Sequence, residues 1–100
     1  METVIKIEKK YLIFREDARK IAQRARKKYA GEKARSFALD FSQVEFMSRS
    51  FVDELLNELQ AIENSGRKVT LINTNPQLQN FMEGVNKKKQ VIKKEMAGVT

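Results

Sequence analysis

The chain contains no cysteine, no histidine and no tryptophan, and has one proline and four glycines in 100 residues. Without cysteine there is no disulfide, no thiol nucleophile and no thiolate metal site. Without histidine, imidazole acid–base chemistry and the commonest zinc ligand are also absent. No cofactor or metal site is expected, and no catalytic residue stands out. The longest apolar run, Tyr11 to Phe14, falls far short of the ~20 residues of a membrane span. The first ten residues, METVIKIEKK, lack the apolar core of a signal peptide, and Glu2 in place of glycine argues against myristoylation. A cytoplasmic protein without a membrane partner is expected.

The remaining composition suits an ordinary globular domain, with 41% hydrophobic and 33% charged residues. One hundred residues bury roughly 65% of their surface in a single core, so one domain is expected rather than two. The net charge is +7 and the sequence pI about 9.8. That charge is uneven along the chain: residues 1–35 carry +7, residues 36–66 carry −5 and residues 67–100 carry +5. Arg49 is the single basic residue of the acidic third. This pattern points to a two-signed surface more than to a uniform polyanion binder.

Val4 to Phe14 is rich in β-branched and aromatic residues but interrupted by Glu8, Lys9 and Lys10, which predicts two short strands around a polar turn. Ala18, Ile21, Ala22, Ala25 and Tyr29 then repeat at helical spacing. Glu16 and Asp17 in the first turn and Arg26, Lys27 and Lys28 in the last suit the helix dipole, and Gly31 is a candidate stop. Phe37 to Phe41 reads as a strand, and the alternation after Ser42-Gln43 points Val44 and Phe46 toward a core. Val52, Leu55, Leu56, Leu59 and Ile62 predict a second helix from about Ser50. Ser50 and Asp53 match a capping box at its start, and Gly66 closes it. Val69 to Ile72 is a further strand. Asn73-Thr74-Asn75-Pro76 opens a third helix carrying Leu78, Phe81, Met82 and Val85 on one face.

The alternation of strands and helices predicts an α/β class with a mixed or mostly parallel sheet of at least four strands. Three or more helices pack largely on one face, and the N-terminal strands are candidates for an antiparallel edge. The domain is expected over residues 1–86. A basic extension, helical or loose, follows over 87–100 with Lys87, Lys88, Lys89, Lys93 and Lys94.

The stretch DFSQVEFMSRSFVDELL, from Asp40 to Leu56, resembles the central signature of STAS domains, the fold of bacterial anti-sigma factor antagonists. Asp40, Ser42, Val44 and Phe46 match that pattern, while Ser48, Arg49, Ser50 and Phe51 stand where the family has Asp-Ser-Ser-Gly. The chain is also similar to the STAS-like family of unknown function DUF4325, through Arg15, Ala18 and Arg19; Asp40, Phe41 and Val44; Phe51, Asp53 and Glu54; and Ile72, Asn73 and Asn75. The resemblance implies a STAS-like fold and a non-enzymatic interaction module whose protein partner is a histidine-kinase-like ATPase. Docking would use the loop 46–51 and the following helix, with Phe46, Ser48, Arg49, Ser50, Phe51 and Glu54 as partner-binding residues. Phe51, if exposed, would be the apolar anchor. In the regulatory relatives the second serine of the motif is phosphorylated, and Ser50 occupies that position. The competing reading makes Ser50 a helix cap.

Two other readings compete with this one. Arg19, Lys20, Arg24 and Lys27 on the first helix, with the lysine-rich tail, form a candidate nucleic-acid contact, although no aromatic residues interleave them and no nucleic-acid-binding motif is present. A solvated helix face accounts for the same residues. An enzyme built around Asp40 and Asn73 would lack an acid–base partner at motif spacing, so Asp40 is expected to be structural or partner-facing, and the two asparagines turn formers. No motif sets an oligomeric state.

Overall fold

A computed structural model describes residues 3–29 and 36–98, with side chains over 3–28 and 36–87. The stop proposed at Gly31, the Tyr29 side chain and the side chains of the lysines beyond Lys87 lie outside the described residues. The order of elements is β1 (Thr3–Lys6), β2 (Tyr11–Leu12), α1 (Arg15–Tyr29), β3 (Ser36–Asp40), β4 (Phe46–Met47), α2 (Arg49–Asn64), β5 (Lys68–Ile72) and α3 (Pro76–Gly98).

Three strands form the main sheet in the order β1-β3-β5, every pairing parallel, with Ile5 opposite Leu39 and Leu39 opposite Leu71. Among the described residues there is no antiparallel edge, and the main sheet has three strands. The second N-terminal strand instead pairs in parallel with β4, as a separate two-stranded ribbon. The polar turn at Glu8 to Lys10 explains the split: it carries the chain off the sheet after Ile7, whose amide makes the last bond, to the Asp40 carbonyl at 3.0 Å.

The sheet's alternation places Ile5, Phe37, Leu39, Val69 and Leu71 in one core with the apolar stripes of the helices, while Val4 on the other face is 49% exposed. The stripe of α1 consists of Ala18, Ala22 and Ala25, all buried, with Ile21 half-buried beside them. Three methyl-sized side chains along a contact face let the backbones of α1 and α2 approach closely, and the two helices pack against each other along their length. α2 contributes Phe51, Val52, Leu55, Leu59 and Ile62 to the core.

Along the rim of this contact the uneven charge of the sequence becomes a ribbon of ion pairs. Arg15 meets Asp53 at 2.7 Å and Glu54 at 3.6 Å, Arg19 meets Glu54 at 3.0 Å, and Arg26 meets Glu58 at 2.9 Å. Each pair is partly exposed and contributes ~1 kcal/mol or less by itself. Together they set the alignment of the two helices.

α2 ends at Ser65. Gly66 follows at φ +97°, its amide bonding the Glu63 carbonyl at 2.9 Å, a left-handed stop that glycine adopts without strain. α3 starts as the asparagines and proline predict: the Asn75 side chain accepts from the Leu78 amide at 2.9 Å, with Pro76 in the first helical position.

Because the α1–α2 contact relies on alanine, Ala22→Leu is expected to lower stability by ~1–3 kcal/mol through overpacking. Arg19→Glu is expected to cost ~1 kcal/mol or less and to be partly restored by Glu54→Arg. Urea unfolding of the three variants and the double variant checks both.

Candidate functional site

The start of α2 is organised by Ser48. Its backbone amide bonds the Leu12 carbonyl at 2.8 Å, its hydroxyl donates to the Ile13 carbonyl, and the same oxygen accepts from the Phe51 amide at 3.0 Å. Ser48 is thus the N-cap, two residues before the position expected from the sequence, and the capping box at Ser50 and Asp53 does not form. Asp53 is engaged instead by Arg15. Ser48 also occupies the place of the signature's aspartate, another residue type suited to capping. With its hydroxyl spent internally, Ser48 is a joint between two segments rather than a free partner contact.

Ser50 is released by this shift. It lies exposed in the first turn of α2, and its hydroxyl has no hydrogen bond among the described residues. Arg49 precedes it, also exposed and with no carboxylate within ion-pair distance among the described residues. The first turn of α2 contains no acidic residue to balance that cation. A positive side chain at the positive end of a helix is disfavoured by some tenths of a kcal/mol, so Arg49 is not placed there for stability.

Phe46 and Phe51 exchange their expected places. Phe51 is fully buried and belongs to the core, so it cannot act as a surface anchor, whereas Phe46 is 48% exposed. The cause lies one step upstream. The amides of Glu45 and Phe46 both bond the Lys10 carbonyl, at 2.8 and 3.1 Å. Two residues share one acceptor, as in a bulge, and the side-chain alternation slips by one. Val44 and Met47 therefore point inward and Phe46 outward.

α3 supplies the opposite wall. Phe46, Met47, Ser48 and Arg49 face Gln77, Leu78 and Phe81 across an open cavity of about 490 Å³. A second hollow of about 260 Å³ continues past Arg49 and Phe81 to Asn80 and Gly84. Phe81 is 37% exposed, although its spacing from Leu78 and Met82 suggested the core. It lies ~60° off Leu78 around the helix, at the edge of the apolar stripe, and that offset was the available signal. Tyr11, in register with Phe46, and Phe14 add exposed aromatic surface nearby in the sequence of β2 and its exit.

Other predicted site residues are engaged elsewhere. Glu54 is held by Arg15 and Arg19 across the helix pair, and Arg19 is thereby engaged with α2. Arg24 donates to the Lys6 carbonyl at 2.9 Å, Lys20 is 3.7 Å from Glu16, and Lys27 is exposed. Asp40, at the C-terminal end of β3, accepts from the Ser42 amide at 2.9 Å and from the Asn73 side chain at 3.1 Å. Asn73 itself has φ 59°. This is a turn lock between β3 and β5, the structural role expected for both residues. Among the described residues no group of three or more acidic or metal-ligating side chains forms a metal site.

The model of the STAS domain matches residues 3–95. The chain belongs to the STAS domain family. Among solved structures, this STAS domain is similar to the murine Solute Carrier 26 family member A9 anion transporter in its inward-facing state, with a TM-score of 0.68 at 20% identity. The similarity covers 81% of this chain but 13% of the transporter, so it speaks for the fold. No curated protein matches the chain. No helix of the STAS domain is long and apolar enough, among the described residues, to cross a membrane.

Ser48→Ala is expected to cost ~1–2 kcal/mol in chemical denaturation, and Ser50→Ala less than about 0.5, the reverse of what a Ser50 cap would give. A second expectation concerns acid. Burial works to raise the Asp17 carboxyl, but the Lys9 ammonium at 2.9 Å and the Phe14 and Ile13 amides outweigh it and hold the group below its ordinary 3.8. Asp40 is held low as well, by the Ser42 amide and then the Asn73 side chain. Carboxyls lowered in the folded state add stability above the unfolded value near 3.8 and lose it as the pH falls through their folded values. Stability is thus expected to fall from about pH 5 downward, and the Asp17→Asn, Asp40→Asn double variant to flatten that slope in thermal unfolding.

Proposed function

We propose that this STAS domain is a non-enzymatic, cytoplasmic protein-interaction module that docks a partner in the groove between β4, the start of α2 and α3. The observation that carries this reading is the juxtaposition of two half-exposed aromatic rings, Phe46 and Phe81, with an uncompensated arginine, Arg49, around one cavity. Aromatic residues and arginine are the side chains most enriched at binding hot spots. Arg49 selects a partner that brings a carboxylate or phosphate alongside an apolar side chain.

Within the family the chain is assigned to the DUF4325 subgroup, on the motifs from Arg15 to Asn75. The partner fitting the STAS analogy is a histidine-kinase-like ATPase, and Ser50 is the site it would phosphorylate. A phosphate on Ser50 would meet the open amides and positive end of α2 with Arg49 beside it, so it would be held at the groove's mouth and change the charge presented to the partner. The nucleic-acid reading is weaker: of its candidates Arg19, Lys20, Arg24 and Lys27, Arg19 spends its charge on Glu54 of α2, and no aromatic residues interleave the rest.

The test is affinity capture with the wild-type domain and with Phe46→Asp, Phe81→Asp and Arg49→Glu. Each variant is expected to remain folded and to lose a defined partner by tenfold or more. A partner retained at full strength by all three would refute the groove. Phe51→Asp, by contrast, is expected to unfold the domain. Mass spectrometry after incubation with the captured ATPase and ATP is expected to place phosphate on Ser50, and phosphate mapped elsewhere would refute that assignment.

A further inference from the structure

The cations of α1 fall on two flanks, and only one of them is spent on α2. Arg15, Arg19 and Arg26 clamp the acidic residues of α2. Lys20 and Arg24 stand ~140° further round the helix, about one turn apart from each other, and face the loop between β1 and β2. There they border an open hollow of about 360 Å³ lined by residues other than those of the docking groove. Its floor is apolar, made by Ile7, Leu12 and Ile21, and Lys9 completes the basic rim.

The lining holds three cations, Lys9, Lys20 and Arg24, against two acids, Glu8 and Asp17. Asp17 is already committed, accepting from Lys9 at 2.9 Å and from the Phe14 amide at 3.3 Å. Arg24 is fixed at the rim by one hydrogen bond from Nη1 to the Lys6 carbonyl, at 2.9 Å. A guanidinium has five N–H donors, and Arg24 has no ion pair among the described residues, so donors remain for a ligand. Among the described residues Lys20 has only Glu16, at 3.7 Å between two largely exposed side chains. Glu8 is the remaining acid on the lining, exposed on the loop.

We infer that this hollow is a binding site for an amphipathic organic anion, a carboxylate or phosphate monoester bearing an aliphatic chain. The head group lies between Lys20 and Arg24, which can present a bidentate guanidinium fork and a point charge to it. The chain lies over Ile21, the half-buried member of the floor, at the margin of the buried Ile7 and Leu12. The volume is within the range of small-ligand pockets, and an apolar floor with a few convergent polar groups is their usual construction. An inorganic anion would use the rim without the floor, and a neutral alcohol the floor without the rim. This site goes beyond the docking groove, shares no residue with it and stands or falls separately.

Titration of the ¹⁵N-labelled domain with sodium decanoate, followed by amide chemical shifts, tests the inference. Saturable shifts are expected at residues 7–12 and 17–24, with decanol and inorganic phosphate each binding about tenfold or more weakly. Lys20→Glu, at a largely exposed position, is expected to unfold at the wild-type temperature and to weaken decanoate at least tenfold. Lys68→Glu, the same charge change on β5, is expected to leave binding unaltered. Decyl phosphate in place of decanoate distinguishes the two head groups, and the one bound more tightly names the class. The inference is overturned if decanol or inorganic phosphate binds as tightly as decanoate, if Lys20→Glu binds normally, if no saturable shift is seen, or if the shifts map to Phe46, Arg49 and Phe81 instead.

Discussion

Ser48 ties the fold together at one point. Its amide and hydroxyl hold the carbonyls of Leu12 and Ile13, and its oxygen accepts from the Phe51 amide in the first turn of α2. Residues 12 and 13 lead directly into α1, so a single side chain fixes where both helices begin. The ion-pair ribbon and the alanine contact between α1 and α2 can form only because their starts are held in this relation. The same joint leaves the residues on either side of it, Phe46 and then Arg49 and Ser50, facing outward.

The arrangement divides labour between neighbouring residues. Ser48 and Phe51 serve stability, one through hydrogen bonds and the other through complete burial. Phe46, Arg49 and Ser50 contribute little to it, and Arg49 opposes the helix dipole. A local rule broken without visible compensation marks a site under functional rather than structural constraint. α1 divides in the same manner, one flank locked to α2 and the other open beside the β1–β2 loop.

Much of the fold was legible from residue patterns. The alanine-faced helix, the Gly66 stop, the asparagine–proline start of α3 and the strands around Phe37 to Leu39 and Val69 to Ile72 follow from local stereochemistry, which needs no distant partner. The site was legible as a region but misread in detail. Alternation placed Phe46 inside because nothing local shows that two amides will share the Lys10 carbonyl. The capping box at Ser50 was plausible because Asp53 lies three residues on, yet Arg15, 38 residues earlier, takes that carboxylate.

By itself the sequence determined the α/β class, the three helix starts and the Gly66 stop within a residue or two, the acidic and basic partition and the family signature at Asp40 to Leu56. Each of these rests on interactions between residues close in the chain. Only the tertiary structure decided that the strand pairs among the described residues are parallel, that Ser48 rather than Ser50 caps α2, that Phe51 is core while Phe46 and Phe81 border a groove, and which cations of α1 remain unspent. Those outcomes depend on contacts between segments tens of residues apart, where a single hydrogen bond or ion pair chooses between locally equivalent alternatives.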